Sequence, residues 1–349
     1  MNTLMSRIVA GSLCLFALTS QAQSLDSLVR AARAEGSVNS VGMPDDWADW
    51  KDSWAQMQQK YGIKHQDTDM SSAQEIAKFD AEKGNASADI GDVGHAFGPI
   101  AVQKGVTQPY KPSTWNQIPA WAKDSDGHWA LAYTGTIAFI IDKKLVKSAP
   151  HSWADLLKGH YRVTLGDVGV ASQANSGVLA AAIAMGGNEK NLKPALDFFA
   201  RLAQQKRLSL NDPSIANLEK GEVEVGVLWD FNALSYRDKI DRDRFLVVIP
   251  SDGTVVSGYS TIINKYAKHP NAAKLAREYI FSDAGQINLA RGYARPIRSA
   301  VKLPADVQAR LLPLAQYKSA RPIRDFAAWE TSTKQLPRQW QEQVMVNVQ

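Results

Sequence analysis

The chain has 349 residues, 45% of them hydrophobic and 21% charged, which is more than a single core usually accommodates, so two lobes are expected. Forty Lys and Arg against 35 Asp and Glu leave a formal charge of +5, and the basic residues are dispersed, neither gathered in runs nor interleaved with aromatics. That distribution excludes a nucleic-acid footprint.

Met1 to Ala22 reads as a secretory signal. Arg7 precedes an apolar run of 11 residues from Ile8 to Leu18, and the small residues Ser20 and Ala22 suit a cut before Gln23. The run is short of the roughly 20 residues a membrane span needs. Cys14, the chain's one cysteine, follows Leu13, where a lipid-attachment site wants a small residue. The exported chain is then soluble and free of cysteine, which excludes disulfides, thiolate metal sites and a cysteine nucleophile.

Residues 25–35 carry apolar side chains at helical spacing with Gly36 as the stop, and 37–41 read as a first strand. Pro44 begins a turn or helix for which Asp45 or Asp46 suits the N-cap. Trp47, Trp50 and Trp54 then share one helical face and are assigned to the core. A second unit follows, with a strand at 62–67 and a helix to about Lys83, opened by Ser71 or Ser72 with Glu75 in the pattern of a capping box. In the third, Ala88 to His95, two carboxylates and an imidazole recur every three residues. Gly91 and Gly94 argue against a helix, and strand parity keeps the three side chains from facing one way. The segment is therefore read as a buried strand entering a glycine-rich loop, from which His95 could reach a ligand, and not as a metal site.

Residues 109–129 form a surface connection, and 131–141 a long β-rich run in which a crossing between lobes is placed, between Tyr133 and Asp142. Ser152 to Leu157 is a capped helix. Arg162 to Leu165 is a strand that breaks at Gly166-Asp167, and the small polar residues 172–177 then lead into an apolar helix. Ser172, Asn175 or Ser176 could cap that helix, while its free amides and positive dipole end could seat a carboxylate, a phosphate or a neutral oxygen-rich ligand. A helix over 194–206 precedes the strand 223–229, which ends in Trp229-Asp230-Phe231-Asn232. An acid between two aromatics suits an organic cation, by ion pairing and cation–π contact; a plain N-cap at Asp230 is the other reading. The β-like runs 245–250 and 254–264 return the chain to the first lobe, with a second crossing near 249–260. Helices over 270–281 and after Ser282, an extended piece at 293–297, and short helices wrapping the first lobe complete the chain.

Five stretches resemble the extracellular solute-binding proteins of ABC importers, in the group serving polyamines, thiamine, ferric iron, phosphonates and phosphorylated sugars: Ser71 to Glu75, Ala88-Asp89-Ile90, Ser152 to Leu156, Asn264 to Lys274, and Phe281 to Gln286. The resemblance implies the type II periplasmic-binding-protein fold, an α/β architecture of two lobes on a two-strand hinge that closes over ligand. The division would be 23–137 for the first part of lobe one, 138–252 for lobe two, and 253–349 for the return to lobe one with the C-terminal helices. It further implies a periplasmic monomer that carries no cofactor and delivers its solute to a permease and ATPase complex in the inner membrane. A sensory receptor uses the same fold and is not separable by sequence. Ferric-binding relatives place adjacent tyrosines where this chain has Trp229 to Asn232, so iron is not expected.

The ligand-binding candidates are Asp45, Ser71, Ser72, His95, Tyr133, Ser172, Asn175, Ser176, Trp229, Asp230, Asn232 and Tyr259. Asp230 and Trp229, with Tyr133 or Tyr259 across the cleft, favour a small organic ligand bearing a cationic nitrogen. Ser71, Ser72, Ser172, Asn175 and Ser176 at two helix starts favour a phosphonate or phosphorylated compound as the alternative. An enzyme is the contrasting class, and Gly-x-Ser-x-Gly, His-Glu-x-x-His and the Gly-Lys-Ser/Thr phosphate loop are all missing.

Overall fold

The computed structural model describes residues 24–348, so the proposed signal, Cys14 included, lies outside the described residues. Helix α1 (Leu25–Glu35) is followed by strand β1 (Ser37–Val41), helix α2 (Trp50–Tyr61), strand β2 (Lys64–Thr68), helix α3 (Ser72–Glu82) and strand β3 (Ile90–Gly94). These build a parallel sheet in which β1 pairs with both β2 and β3. Every residue of β3 is buried, as its covered position between layers requires.

Strand β4 (Trp129–Asp142) joins the two halves of the molecule. As far as Thr136 it pairs antiparallel with β9 (Thr254–Asn264), itself paired with β3; from Ile137 onward its partners are β7 (Val225–Trp229) and β8 (Phe245–Val248). The second sheet adds the short strands β5 (Val163–Thr164) and β6 (Leu208–Ser209), parallel to each other and to β7. Helices α4 (Ser172–Ala184), α5 (Lys193–Gln204) and α6 (Asp230–Ile240) belong to this half, while α7 (Pro270–Ile280) and α8 (Asp283–Arg291) return to the first. There Glu35, at the end of α1, accepts the backbone N–H groups of Asn271 and Ala272 at 3.1 and 2.7 Å and so caps α7.

Three local expectations are corrected. The helix after Pro44 starts at Trp50, because Ala48 and Asp49 take left-handed backbone conformations and turn Trp47 out of the helical face; its indole N–H instead donates to the Tyr133 hydroxyl at 2.8 Å. At α3 the reach back to the Ser71 backbone N–H comes from Gln74, at 2.9 Å, which leaves Glu75 to turn inward. No side chain caps α4, whose N-cap is Ala171: Ser172 is already helical, and Asn175 one turn in accepts the Gly169 N–H at 2.7 Å.

The C-terminal segment also departs from the expected wrapping of the first lobe. Strand β10 (Ala320–Pro322) runs parallel to the start of β9, and helix α9 (Phe326–Gln343) then packs on α5 of the second half, with the Trp340 and Phe199 rings 5.2 Å apart. Arg321 and Glu189 pair at 2.8 Å, Lys190 and Asp325 at 3.0 Å. The apolar face of α9, Trp329, Leu336 and Trp340, finds its partners there, which makes this segment a third passage between the halves.

Candidate ligand-binding cleft

A cavity of about 430 Å³ opens where the C-terminal ends of β1 and β3 face the loops after β5 and β6. In open α/β sheets this is where strand-end loops and helix N-termini collect. The first half contributes Gly42, Pro44, Trp47, Asp69, Met70, Ser71, Ser72, Gln74, Glu75 and Asp92; the second contributes Asp167, Val170, Ala171, Ser172, Gln173 and Asp212; and Tyr259 closes the back from β9. Five of these side chains are carboxylates, and none is Lys, Arg or His.

The floor is acidic and dry. Glu75 and Asp92 are each 1% exposed, and the Asp92 N–H donates to Glu75 Oε2 at 3.0 Å. Burial, and for Glu75 the neighbouring Asp92 charge, raise both carboxyl groups well above the ordinary range. Gly42 and Gly91 make the room for Glu75: a Cβ at Gly42 would stand 2.8 Å from its Cδ, one at Gly91 2.6 Å from its Oε2. Asp92 Oδ2 accepts the Tyr133 hydroxyl at 2.6 Å, so a relay from the Trp47 indole through Tyr133 to Asp92 fixes that carboxylate. Its other oxygen, Oδ1, is enclosed, and the Trp50 indole N–H lies against the same carboxylate. Asp69, Asp167 and Asp212 stand exposed at the rim.

Aromatic rings form one wall. Tyr259 lies edge-on to Trp47 at 5.3 Å and stacks on Tyr133 at 5.8 Å, and its hydroxyl accepts the Trp229 indole N–H at 3.1 Å. The two halves touch at the mouth. The Ser72 hydroxyl accepts the Gly94 N–H at 2.9 Å, while Ser172 of α4 packs on the bare Cα of Gly94, where an added Cβ would stand 2.5 Å from Ser172 Cβ. Next along α4, the Gln173 side-chain carbonyl accepts from the Trp229 N–H at 3.1 Å and the Asn232 amide at 3.0 Å, tying the rim to the end of β7.

Of the twelve candidates, Ser71, Ser72, Ser172 and Tyr259 line the cavity. Tyr133 and Trp229 sit directly behind it as supports for Asp92 and Tyr259. The remaining six lie elsewhere. Asp45 borders a separate hollow with Asp238, Arg291 and Arg310. His95 is enclosed by Trp121, Trp129 and Phe326, where burial lowers its pKa to about 4. Asn175, Ser176 and Asn232 are buried within their helices. Asp230 is 1% exposed and its carboxylate is occupied: Oδ1 accepts the Thr136 and Phe231 N–H groups at 2.9 and 3.0 Å, and Oδ2 accepts the Tyr317 hydroxyl at 2.6 Å. Its aromatic flanks, Trp229 and Phe231, are fully buried.

Sequence reasoning passed over Gly42, Trp47, Asp69, Glu75, Asp92, Asp167, Gln173 and Asp212. Asp92 carried a signal, as the one carboxylate of a strand whose other residues are Ile90, Gly91, Val93 and Gly94, and a metal question consumed it. Glu75 was disguised by the capping-box pattern. Among the described residues no group of three or more His, Asp or Glu converges as a metal site.

The family described as bacterial extracellular solute-binding protein matches residues 85–321. An uncharacterized protein of Haemophilus influenzae is 30% identical over 247 residues, 65% of this chain and 68% of that protein. Among solved structures, the periplasmic binding protein AfuA of Actinobacillus pleuropneumoniae, with fructose-6-phosphate bound, superposes with a TM-score of 0.72 at 20% identity, covering 88% of this chain and 98% of its own. The spermidine/putrescine ABC transporter substrate-binding protein PotD of Streptococcus pneumoniae does so with a TM-score of 0.65 at 15% identity, covering 89% and 99%. At these identities the two structures speak for the fold alone.

Proposed function

The chain belongs to the bacterial extracellular solute-binding proteins, and from that premise we propose that it is the periplasmic receptor of an ABC importer for a small organic ligand bearing a cationic nitrogen. The carrying observation is the composition of the cavity wall, five carboxylates with no basic side chain. Two unit charges 4 Å apart interact by about 4 kcal/mol at an effective dielectric of 20. Such a wall therefore attracts a cation and repels a phosphate or sulfate. Trp47 and Tyr259 add ring faces on which an alkylammonium can rest.

The second reading, a phosphonate or phosphorylated ligand, has one observation in its favour. Ser71, Ser72 and Ser172 gather at the N-terminal ends of α3 and α4, whose free amides suit an oxyanion. The exposed acids at the rim, Asp69, Asp167 and Asp212, with no basic side chain lining the cavity, weigh against it.

Capture works by closure. The ligand touches Asp69, Glu75 and Asp92 of one lobe and Asp167, Gln173 and Asp212 of the other, and so holds together two bodies that hinge where β4 changes sheets, at Thr136 and Ile137, and across 249–253. The closed form gains whatever differential affinity the second set of contacts supplies. The protein returns its ligand unchanged to a permease and ATPase. Thermal-shift screening of ligand-stripped protein against amines, phosphonates and sugar phosphates tests the reading. At a hundredfold excess over Kd the stabilisation is about 2.7 kcal/mol, visible as a raised Tm with amines. A response confined to oxyanions removes the reading.

A further inference from the structure

We propose that the ligand carries, besides its cationic nitrogen, an uncharged carbonyl oxygen, and that the side-chain amide of Gln173 is the donor that reads it. This rests on the organic-cation reading of the cleft and narrows the substrate class to an amino amide.

Gln173 lines the cavity from the first turn of α4 and is half-buried. Its partners fix which way the amide is turned. The Trp229 backbone N–H meets it at 3.1 Å and the Asn232 amide at 3.0 Å. A backbone N–H can only donate, so the atom it meets is the carbonyl oxygen, and the other arm of the planar amide is the N–H2 group. That oxygen is taken by two donors of its own half. Nε2 has no hydrogen-bond partner among the described residues, and it is not sealed from solvent. Gln74 repeats the arrangement from the facing half. Its Oε1 accepts the Ser71 N–H and the Ser71 hydroxyl, both at 2.9 Å, which leaves a second N–H2 group at the exposed rim. These are the two glutamines lining the cavity, one from each half, and each has its acceptor engaged and its donor free.

A plain diamine brings N–H groups at both ends and would set donor against donor at Gln173. A ligand with an acceptor oxygen there gains a hydrogen bond in place of that conflict. The acceptor is uncharged, because a carboxylate or phosphate would meet the exposed Asp69, Asp167 and Asp212 with no Lys, Arg or His lining the space to offset them. A carbonyl takes the same N–H without bringing charge. One neutral hydrogen bond corresponds to about three- to tenfold in Kd.

The test is calorimetry on the whole mature protein with 4-aminobutanamide, with 4-methylpentan-1-amine, in which an isopropyl group replaces the carboxamide at equal size, with 1,4-diaminobutane and with 4-aminobutanoate. Gln173→Glu keeps an oxygen for the Trp229 and Asn232 donors and exchanges only the N–H2 group for a second oxygen, so the fold of the rim is retained while the reading is inverted. In wild type, 4-aminobutanamide should bind about threefold tighter or more than each of the other three. In Gln173→Glu that preference over 4-methylpentan-1-amine should vanish and 1,4-diaminobutane should bind at least as tightly as to wild type, a reversal that a purely structural role for Gln173 would not produce. Equal or tighter binding of any of the other three amines to wild type, or a preference that survives in Gln173→Glu, overturns this inference and leaves the cation reading in place. The wild-type comparison decides even where the variant does not fold. Failure of all four amines while inorganic sulfate or phosphate binds removes the cation reading beneath it, and failure of every compound overturns both.

Discussion

Replacing Gly94 by alanine isolates closure from recognition. Its backbone conformation is accessible to any residue, since its φ is not positive. We take the described structure as the closed form, and in it the new Cβ stands 2.5 Å from Ser172 Cβ. Carbon atoms rest at about 3.5 Å or more, so the faces must part by roughly 1 Å, and rotating the Ser172 hydroxyl does not help, because its Cβ is fixed to the backbone of α4. Overpacking of one methyl group costs about 1–3 kcal/mol, which converts to a Kd weakened about 5- to 150-fold. Without ligand the Tm should stay within a degree or two of wild type, because the cost falls on closure. Ser172→Gly in the same chain removes the obstructing Cβ and should restore most of the affinity, whereas Ser172→Ala should not. Isothermal titration of the four proteins, with small-angle scattering for compaction, provides the measurement. Unchanged affinity in the Gly94→Ala protein refutes the reasoning that Gly94 and Ser172 meet on closure.

Asp230 sits where β4 changes sheets, so Asp230→Asn and Tyr317→Phe are expected to lower unfolding free energy by about 1–3 kcal/mol each in urea titrations; a strong affinity loss at unchanged stability would return Asp230 to the ligand. His95 binds its proton near pH 6.5 when unfolded and about 4 when folded. Its contribution to stability is therefore full above pH 6.5 and lost as pH falls toward 4, so wild type should lose about 3 kcal/mol relative to His95→Phe over that window in pH-dependent melts, and parallel curves would contradict it. At Gly169, with φ +95°, an added Cβ would stand 2.7 Å from Pro337 of α9. Gly169→Ala should cost about 1–3 kcal/mol and broaden amide resonances of residues 166–171; a silent substitution would deny that α9 buttresses the cleft loop.

The sequence by itself determined the elements and their order. Periodicity, β-branched runs and glycine stops are local, so the helix from Pro270, the all-buried third strand and the long run that became β4 were all legible. The same locality announced two helix starts rich in serine, and three of those serines, Ser71, Ser72 and Ser172, do line the cavity. The family's motifs supplied the two-lobed architecture.

Which carboxylate faces the cavity was decided by tertiary structure alone. Asp230 between two aromatics and Asp92 between Gly91 and Val93 are equally suggestive in one dimension. Folding sends the first against Thr136 and Tyr317, where its charge is met by donors within the protein, and sets the second beside Glu75 at the floor of the cavity. The difference is one of hydrogen-bond accounting between residues scores of positions apart. A chain reading records which residues could bind, but only the packed structure shows which acceptors are already taken.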